Sequence, residues 1–369
     1  MKILTIAGTR PEIIRLSSTI TKLDQYFEHR FIHTGQNVSN NMRDVFFKDL
    51  ELREPDAYWE LKANSGLASS LAEIMTKLEA EIESFKPKAL VVLGDTNSAL
   101  ATIVARRMGV IVYHIEAGNR SFDENVPEEV NRRVIDHFSN FNLAYSKNAF
   151  QNLLDEGLDR RRMITCGSPM PEVIRRIEHK LQSCTILNQL NLKSESYILV
   201  SAHRQENVNS IERLSKLIQS LDLVSKRYKK RIMVSLHPRT QSKIKEMGGD
   251  IPPGVEFHEP FGFIDYLKLQ IESFVVLSDS GTISEESSIL NFPAISIRDS
   301  MERQEALDTG SMILCGIEFE DIINGISLVR DKPNMNTPQA YQEHNHSEIV
   351  VRFIASTASR ANDWMGIRS

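Results

Sequence analysis

Apolar residues along the chain fall in short runs that alternate with longer amphipathic stretches. From the N-terminus, KILTIAG, HRFIHTG, KALVVLGD, VIVYHIEAG, FNLAYS and RMITCG read as buried strands. Between them, PEIIRLSSTITKL and SALATIVARRMG carry apolar residues at helical spacing. Strand, helix, strand is the signature of a parallel, doubly wound sheet. The pattern restarts after a polar interval near residues 182 to 196, with YILVSAH, RIMVSLHP, VEFHEP, SFVVLSDSG and PAISIR as strands between helical segments. At 369 residues the chain exceeds one comfortable hydrophobic core, so the expected architecture is α/β, with two doubly wound domains facing a cleft.

Composition narrows the class without naming a chemistry. With 41% apolar and 25% charged residues the chain is an ordinary water-soluble protein. A net charge of −5 argues against nucleic acid or an anionic membrane as the main partner, because those need a basic face. No run of about 18 consecutive apolar residues is present, so no membrane span is expected. The N-terminal MKILTIAGTRPE passes from a short apolar run straight into a charged helix, unlike a secretory signal. Cys166, Cys184 and Cys315 are scattered without CxxC spacing, which points to a reducing cytoplasm and to neither disulfides nor a metal site.

In open parallel sheets ligands bind beyond the carboxyl ends of the strands. Those ends are polar here: Thr9 and Arg10, His33, Asp95, Glu116, His203, His237, and Asp279 with Ser280. In GTRPE, Thr9 and Glu12 have capping-box spacing, which leaves Arg10 at a helix N-terminus beside orphan N–H groups, the usual place for an anion. Arg15 follows one to two turns on. In the second half, SDSGTISEESS lets the backbone N–H groups of Ser280, Gly281 and Thr282 converge on a phosphate. Glu286 is suited to ribose hydroxyls, and Arg298 and Arg303 to a diphosphate. There is no GxGxxG and no GxxxxGK[ST], so neither a nicotinamide cofactor nor ATP is indicated. Residues 114 to 133, HIEAGNRSFDENVPEEVNRR, add a concentration of carboxylates: Glu116, Asp123, Glu124, Glu128 and Glu129. A charge run is ordinarily a solvated loop. Glu116, however, ends a buried strand, and Glu128 and Glu129 follow Pro127 in the first turn of a helix.

The ordered set GTRPE, HTGQN, GDTNS, HIEAGNR, PEEVNRR, AHRQEN and DSGTISEE closely resembles the non-hydrolysing UDP-N-acetylglucosamine 2-epimerase family over nearly the whole chain. FDENVPEEVNRR, GSPMPEV and the run from SDSGTISEESS to EALDTG look most like the branch that forms UDP-N-acetyl-L-fucosamine for capsule and O-antigen synthesis. The resemblance implies a glycosyltransferase-B-like pair of Rossmann-type domains, set here at residues 1–168 and 169–345, with a last helix in 346–369 crossing back onto the N-terminal domain. It also implies a cytoplasmic homodimer, a UDP-N-acetyl-sugar substrate and no cofactor. Its catalytic residues carry over to Asp95, Glu116, Glu128 and His203. Its substrate contacts carry over to Arg10, Ser280, Gly281, Glu286 and Arg303, with Tyr266 where the family stacks an aromatic ring on uracil. Arg15, Arg132, His237 and Thr282 complete the candidate binding set. Four positions depart from the family pattern: Arg15 stands for a lysine, Thr282 for the second glycine of the DSGG turn, the loop between Glu116 and Glu128 is short, and VSNNM follows HTGQN.

The chemistry explains the need for several carboxylates. No carbonyl adjoins C2 of an N-acetyl sugar to acidify its proton. Without a nicotinamide the remaining route is to eliminate the C1 diphosphate and add it back. Charge then builds on UDP, where arginines and helix N-termini stabilise it. A base takes the C2 proton from one face and an acid returns one from the other, work worth roughly 10²–10⁴-fold in rate. Crowded carboxylates are expected to hold different protonation states through mutual repulsion and desolvation. The competing readings are a UDP-N-acetylglucosamine 2-epimerase forming UDP-N-acetylmannosamine, a hydrolysing 2-epimerase, a retaining glycosyltransferase and a catalytically silent sensor. The paired glutamates that often mark such transferases are absent, since Ala294 stands eight residues beyond Glu286.

Overall fold

The computed structural model describes the chain apart from residues 36–42, 62–65, 203, 205–206, 208–209, 236–243, 245–251, 332–335 and 367–369. Two compact units emerge: Met1–Arg176 with Gln339–Ser369, and Ile177–Pro338. The divide falls inside the helix Met170–Ser183, past residue 168, because one apolar stripe of Val173, Ile174, Ile177 and Leu181 is buried along its whole length. The chain rejoins the first unit at Gln339.

The first unit holds a seven-stranded parallel sheet of β1 (Lys2–Ala7), β2 (Glu28–His33), β3 (Ala57–Tyr58), β4 (Ala89–Leu93), β5 (Ile111–Ile115), β6 (Phe141–Ala144) and β7 (Met163–Thr165). Their order is β3-β2-β1-β4-β5-β6-β7. Ile3, Leu4, Ile6, Leu90, Val91 and Val112 are fully buried, the pattern of strands covered on both faces. The short β3 pairs Ala57 with Ile32 and Tyr58 with His33. It has no apolar run to announce it. The expected helix in SALATIVARRMG is two short ones, Asn97–Leu100 and Ile103–Arg107. Between them the Thr102 hydroxyl donates to the Ala99 carbonyl at 2.6 Å, a local bond that competes with the helix ladder.

The C-terminal helix His346–Thr357 belongs to the first unit and packs on the helix Arg10–Tyr26 and the sheet. Phe353 meets Phe141 edge-on at 5.4 Å, and Tyr113 and Thr357 share a hydroxyl hydrogen bond of 2.7 Å. Ser347 donates from its backbone to Glu172 at 2.9 Å.

In the second unit β8 (Tyr197–Ser201), β9 (Arg231–Ser235), β10 (Val255–His258), β11 (Val276–Ser278) and β12 (Ala294–Ser296) form a parallel sheet in the order β10-β9-β8-β11-β12. Both sheets therefore have Rossmann order, and the fold is the expected glycosyltransferase-B-like pair of doubly wound units. Strand order reverses between β1 and β4 and again between β8 and β11. Those are the positions where such sheets open a crevice for ligand.

Candidate functional site

At the first switch point one buried carboxylate ties the two strand ends together. Glu12, in the first turn of the helix Arg10–Tyr26, accepts from the backbone of Gly8 at 2.9 Å and Thr9 at 2.7 Å. Its other oxygen accepts from the Thr96 hydroxyl at 2.7 Å, in the loop after β4. The capping box is present, but Glu12 also reaches across to the neighbouring strand. Burial pushes its carboxyl above the ordinary value, against the pull of the Thr96, Gly8 and Thr9 hydrogen bonds. Beside it Arg10 is half-buried, and desolvation lowers its pKa. Its side chain has no hydrogen-bond or ion-pair partner among the described residues.

Asp95 and Glu116 follow the adjacent strands β4 and β5, and each is met by an arginine. Arg15 donates to Glu116 at 2.5 Å, with side chains 7% and 12% exposed. Arg132, from the helix Pro127–Phe138, donates to Asp95 Oδ2 through Nε at 3.1 Å and Nη2 at 2.6 Å. The remaining Arg132 nitrogen reaches Glu129 at 3.1 Å. Each of these two acids is thus held beside a guanidinium. Arg15 and Arg132, expected as substrate contacts, are ion-paired to these acids. Glu116 adopts φ +70°, a left-handed conformation rare for a side chain with a Cβ and one concentrated at functional sites. The neighbouring Gly94 lies 4.0 Å, measured from an ideal Cβ, from the Glu116 carboxylate.

Glu128 and Arg132 are one helical turn apart, so both face the Asp95 side of their helix. Glu128 is half-buried and has no hydrogen-bond or ion-pair partner among the described residues. The next residue, Glu129, is 1% exposed and accepts from the Ser121 backbone and hydroxyl at 2.9 and 3.0 Å. It thereby ties the loop at Ser121 to the helix. Asp123 likewise accepts from the Asn125 backbone at 3.0 Å.

The second switch point repeats the device. Asp279, fully buried after β11, accepts from the Arg204 backbone and from the Asn207 amide, both at 3.0 Å, in the loop after β8. The turn that follows differs from expectation. The backbone N–H of Ser280 meets the Ser278 hydroxyl at 3.1 Å, and that of Thr282 meets the Ser280 hydroxyl at 3.3 Å. Two of the three donors expected to converge on phosphate therefore have internal partners, the hydroxyls of Ser278 and Ser280. Arg303, 2% exposed, braces this turn by donating to the Gly281 carbonyl at 2.9 Å while pairing with the buried Glu285 at 3.2 Å. Arg298 and Arg204 both reach Glu302, at 3.0 and 3.2 Å. Sequence reasoning passed over Arg204, Glu285 and Glu302.

Glu286, 6% exposed, accepts from Gln270 at 2.7 Å. Gln270 lies one turn after Tyr266 on the helix Phe263–Ile271. Burial, helped by the Glu286 charge, pushes the Tyr266 phenol up. His203 and His237 lie outside the described residues. Among the described residues no group of three His, Cys, Asp or Glu side chains is placed to hold a metal ion, and no helix is long and apolar enough to cross a membrane.

Two Rossmann-ordered sheets, each with a buried carboxylate stitching its switch point and arginines gathered beside it, define a glycosyltransferase-B-like protein. The family model described as UDP-N-acetylglucosamine 2-epimerase matches residues 21–355, and the chain belongs to that family. It is an isomerase, of the UDP-sugar 2-epimerase class. The UDP-N-acetylglucosamine 2-epimerase of Methanococcus maripaludis is 35% identical over 366 residues, covering 96% of this chain and 98% of the relative. A UDP-2,3-diacetamido-2,3-dideoxy-D-glucuronate 2-epimerase of Pseudomonas aeruginosa is 30% identical over 363 residues, covering 96% and 99%. Among solved structures, UDP-N-acetylglucosamine 2-epimerase from Rickettsia bellii superposes with a TM-score of 0.90 at 37% identity over 98% of each chain. The Methanocaldococcus jannaschii enzyme, in complex with UDP-GlcNAc and UDP, superposes with a TM-score of 0.89 at 32% identity, covering 96% of this chain and 100% of that one.

Proposed function

We propose that this chain inverts C2 of a UDP-N-acetyl sugar by eliminating and re-adding UDP through a 2-acetamidoglycal, and that its product is UDP-N-acetyl-L-fucosamine for capsule or O-antigen synthesis. The observation that carries the chemistry is the pair of acids on adjacent strand ends, Asp95 and Glu116, each set by a buried arginine. In the first half-reaction a carboxylate takes the C2 proton, the C1–O bond breaks with its electron pair leaving on UDP, and C1 and C2 become doubly bonded. In the second, the UDP oxygen returns to C1 and a proton reaches C2 from the opposite face. Asp95, Glu116 and Glu128 handle the proton, and His203 works beside them or at the diphosphate. Arg10 meets the charge that builds on UDP. The Ser280–Thr282 turn, braced by Arg303, takes phosphate once ligand displaces its internal hydroxyl bonds. Glu286 accepts from the ribose and Tyr266 stacks on uracil, with His237 a further contact.

The UDP-GlcNAc and UDP bound by the Methanocaldococcus relative support a nucleotide-sugar ligand. The diacetamido-glucuronate relative shows that family names extend beyond one hexose, which supports a substituted sugar here. The likeness of FDENVPEEVNRR to the fucosamine-forming branch favours that sugar. A second reading, UDP-N-acetylglucosamine to UDP-N-acetylmannosamine, is favoured by the names of the Methanococcus and Rickettsia relatives. Incubation with each UDP-sugar in deuterium oxide, followed by NMR, separates them: the true substrate yields an epimer deuterated at C2 with no free sugar. Epimerisation without deuterium would refute proton transfer, and accumulation of UDP with free sugar would show a hydrolase. Cytoplasmic homodimers are proposed as the working form, to be read by light scattering.

A further inference from the structure

His114 lies in β5, two residues before Glu116, and is fully buried. Both of its ring nitrogens are engaged: Nδ1 is 2.8 Å from Asp136 Oδ1, and Nε2 is 2.8 Å from the carbonyl oxygen of Gly94, the residue before Asp95. Asp136 sits on the helix that carries Glu128 and Arg132. Its second oxygen accepts from the Gly118 backbone at 3.2 Å and from Arg120 at 2.8 Å. Arg120, itself fully buried, is held by Glu156 through two bonds of 2.7 and 2.6 Å and donates to the Asn119 carbonyl at 2.7 Å. Burial works against the Arg120 charge, but Glu156 and Asp136 together raise its pKa. The cluster thus bonds to the backbone just after Glu116 and immediately before Asp95, and it is anchored to the helix of Glu128.

Buried ion clusters are weak devices for stability, since well-packed apolar groups of equal volume often do as well or better. Their directional bonds are better suited to fixing geometry. The backbone here needs fixing: Gly94, Glu116 and Gly118 all have positive φ, at +72°, +70° and +82°. A glutamate in that region persists only where its surroundings over-determine it. The carbonyl of Gly94 can only accept, so Nε2 of the ring donates to it, while Nδ1 is held against Asp136.

We propose that His114 and Asp136 are positioning residues for the epimerisation, with the His114 ring locking the Asp95 and Glu116 turns to the helix of Glu128. The proposal rests on the assignment of those three carboxylates to proton transfer. No member of the cluster touches the sugar. Its loss lets the two acids drift from their common target, and misplacement of about 1 Å costs about 10²-fold in rate.

The test uses the full chain and the UDP-sugar that the wild-type protein epimerises, comparing His114→Gln and Asp136→Asn with wild type. Expected is a fall in kcat of about 10²-fold in each variant, while KM and the affinity for UDP stay within about threefold, the split that marks an effect on the reacting centre. Folded variants with kcat near wild type overturn the proposal, as does a loss of UDP affinity that matches the loss of kcat. Nitrogen-15 NMR of the wild-type protein gives a reading that needs no variant to fold. A proton on Nε2 of His114 is expected, and a bare Nε2 overturns the proposal. A wild-type protein that epimerises no UDP-sugar overturns the reading of the site itself, whereas an active wild type with an unaffected His114→Gln overturns this role alone.

Discussion

Replacing Arg132 by alanine isolates the bridge that links a proposed proton-handling acid to the loop ahead of its helix. Arg132 is 3% exposed and joins Asp95 Oδ2, through two bonds, to Glu129. Removing one partner of a buried ion pair costs about 3–5 kcal/mol, because the remaining charge stays desolvated without compensation. Two features pull the cost here towards the lower end. The Asp95 side chain is 28% exposed, so water replaces part of what it loses. Glu129, at 1%, keeps its Ser121 donors and Arg133 at 3.1 Å. We expect a loss of about 3 kcal/mol. For a unit of about 200 residues, where each kcal/mol shifts the midpoint by roughly 2–4 °C, the first unit should unfold about 6–12 °C lower. Arg132→Lys keeps the charge but not the fork, and should fall between alanine and wild type. Calorimetry of the full chain with a urea titration reads both. If the alanine variant unfolds within about 1 kcal/mol of wild type, the bridge is not a coupled buried ion pair and the reasoning fails.

Glu116→Gln should lower kcat by about 10²–10⁴-fold and leave UDP affinity unchanged, as read by deuterium entry at C2 and by calorimetric titration; unchanged deuterium entry would remove Glu116 from the mechanism. For Glu12 the buried carboxyl is raised above its unfolded value, so its stabilising contribution is complete below the unfolded pKa and declines as pH rises through the folded one. Glu12→Gln should therefore flatten the fall in urea midpoint over that window, and an unaltered pH profile would count against the assignment. Gly118→Ala places a Cβ 2.1 Å from the Ala149 carbonyl oxygen at φ +82°, and should destabilise the first unit by at least about 2 kcal/mol in thermal unfolding. A neutral effect would mean that the turn moves freely.

Strands were legible because parallel sheets covered on both faces require continuous apolar runs, and KALVVLGD and VIVYHIEAG are such runs. Two-residue β3 has none, since it is recruited by pairing with Ile32 and His33. The helix break at Ala101–Thr102 was hidden for a similar reason: Thr102 is compatible with a helix until its hydroxyl finds a carbonyl three residues back. Candidate acids were legible from position, because a charged residue that ends a buried strand at the carboxyl edge is costly there unless a partner or a ligand meets it. Their partners were not. The residue paired with Glu116, Arg15, is 101 positions away, and Asp95 lies 37 positions from Arg132. Spacing along a chain says nothing about such contacts.

The amino-acid pattern alone determined that this protein forms two parallel doubly wound sheets and that acids and arginines gather at the carboxyl edge of the first. Periodicity and strand-end polarity are local properties, readable one segment at a time. Tertiary structure decided which charges meet. It pairs Asp95 and Glu116 with guanidinium groups, turns Glu12 and Asp279 into stitches between strands far apart in sequence, and buries His114 between Asp136 and the Gly94 carbonyl. Those outcomes depend on the close approach of separate loops in a medium where an unpaired charge is costly, and only the folded chain brings them within reach.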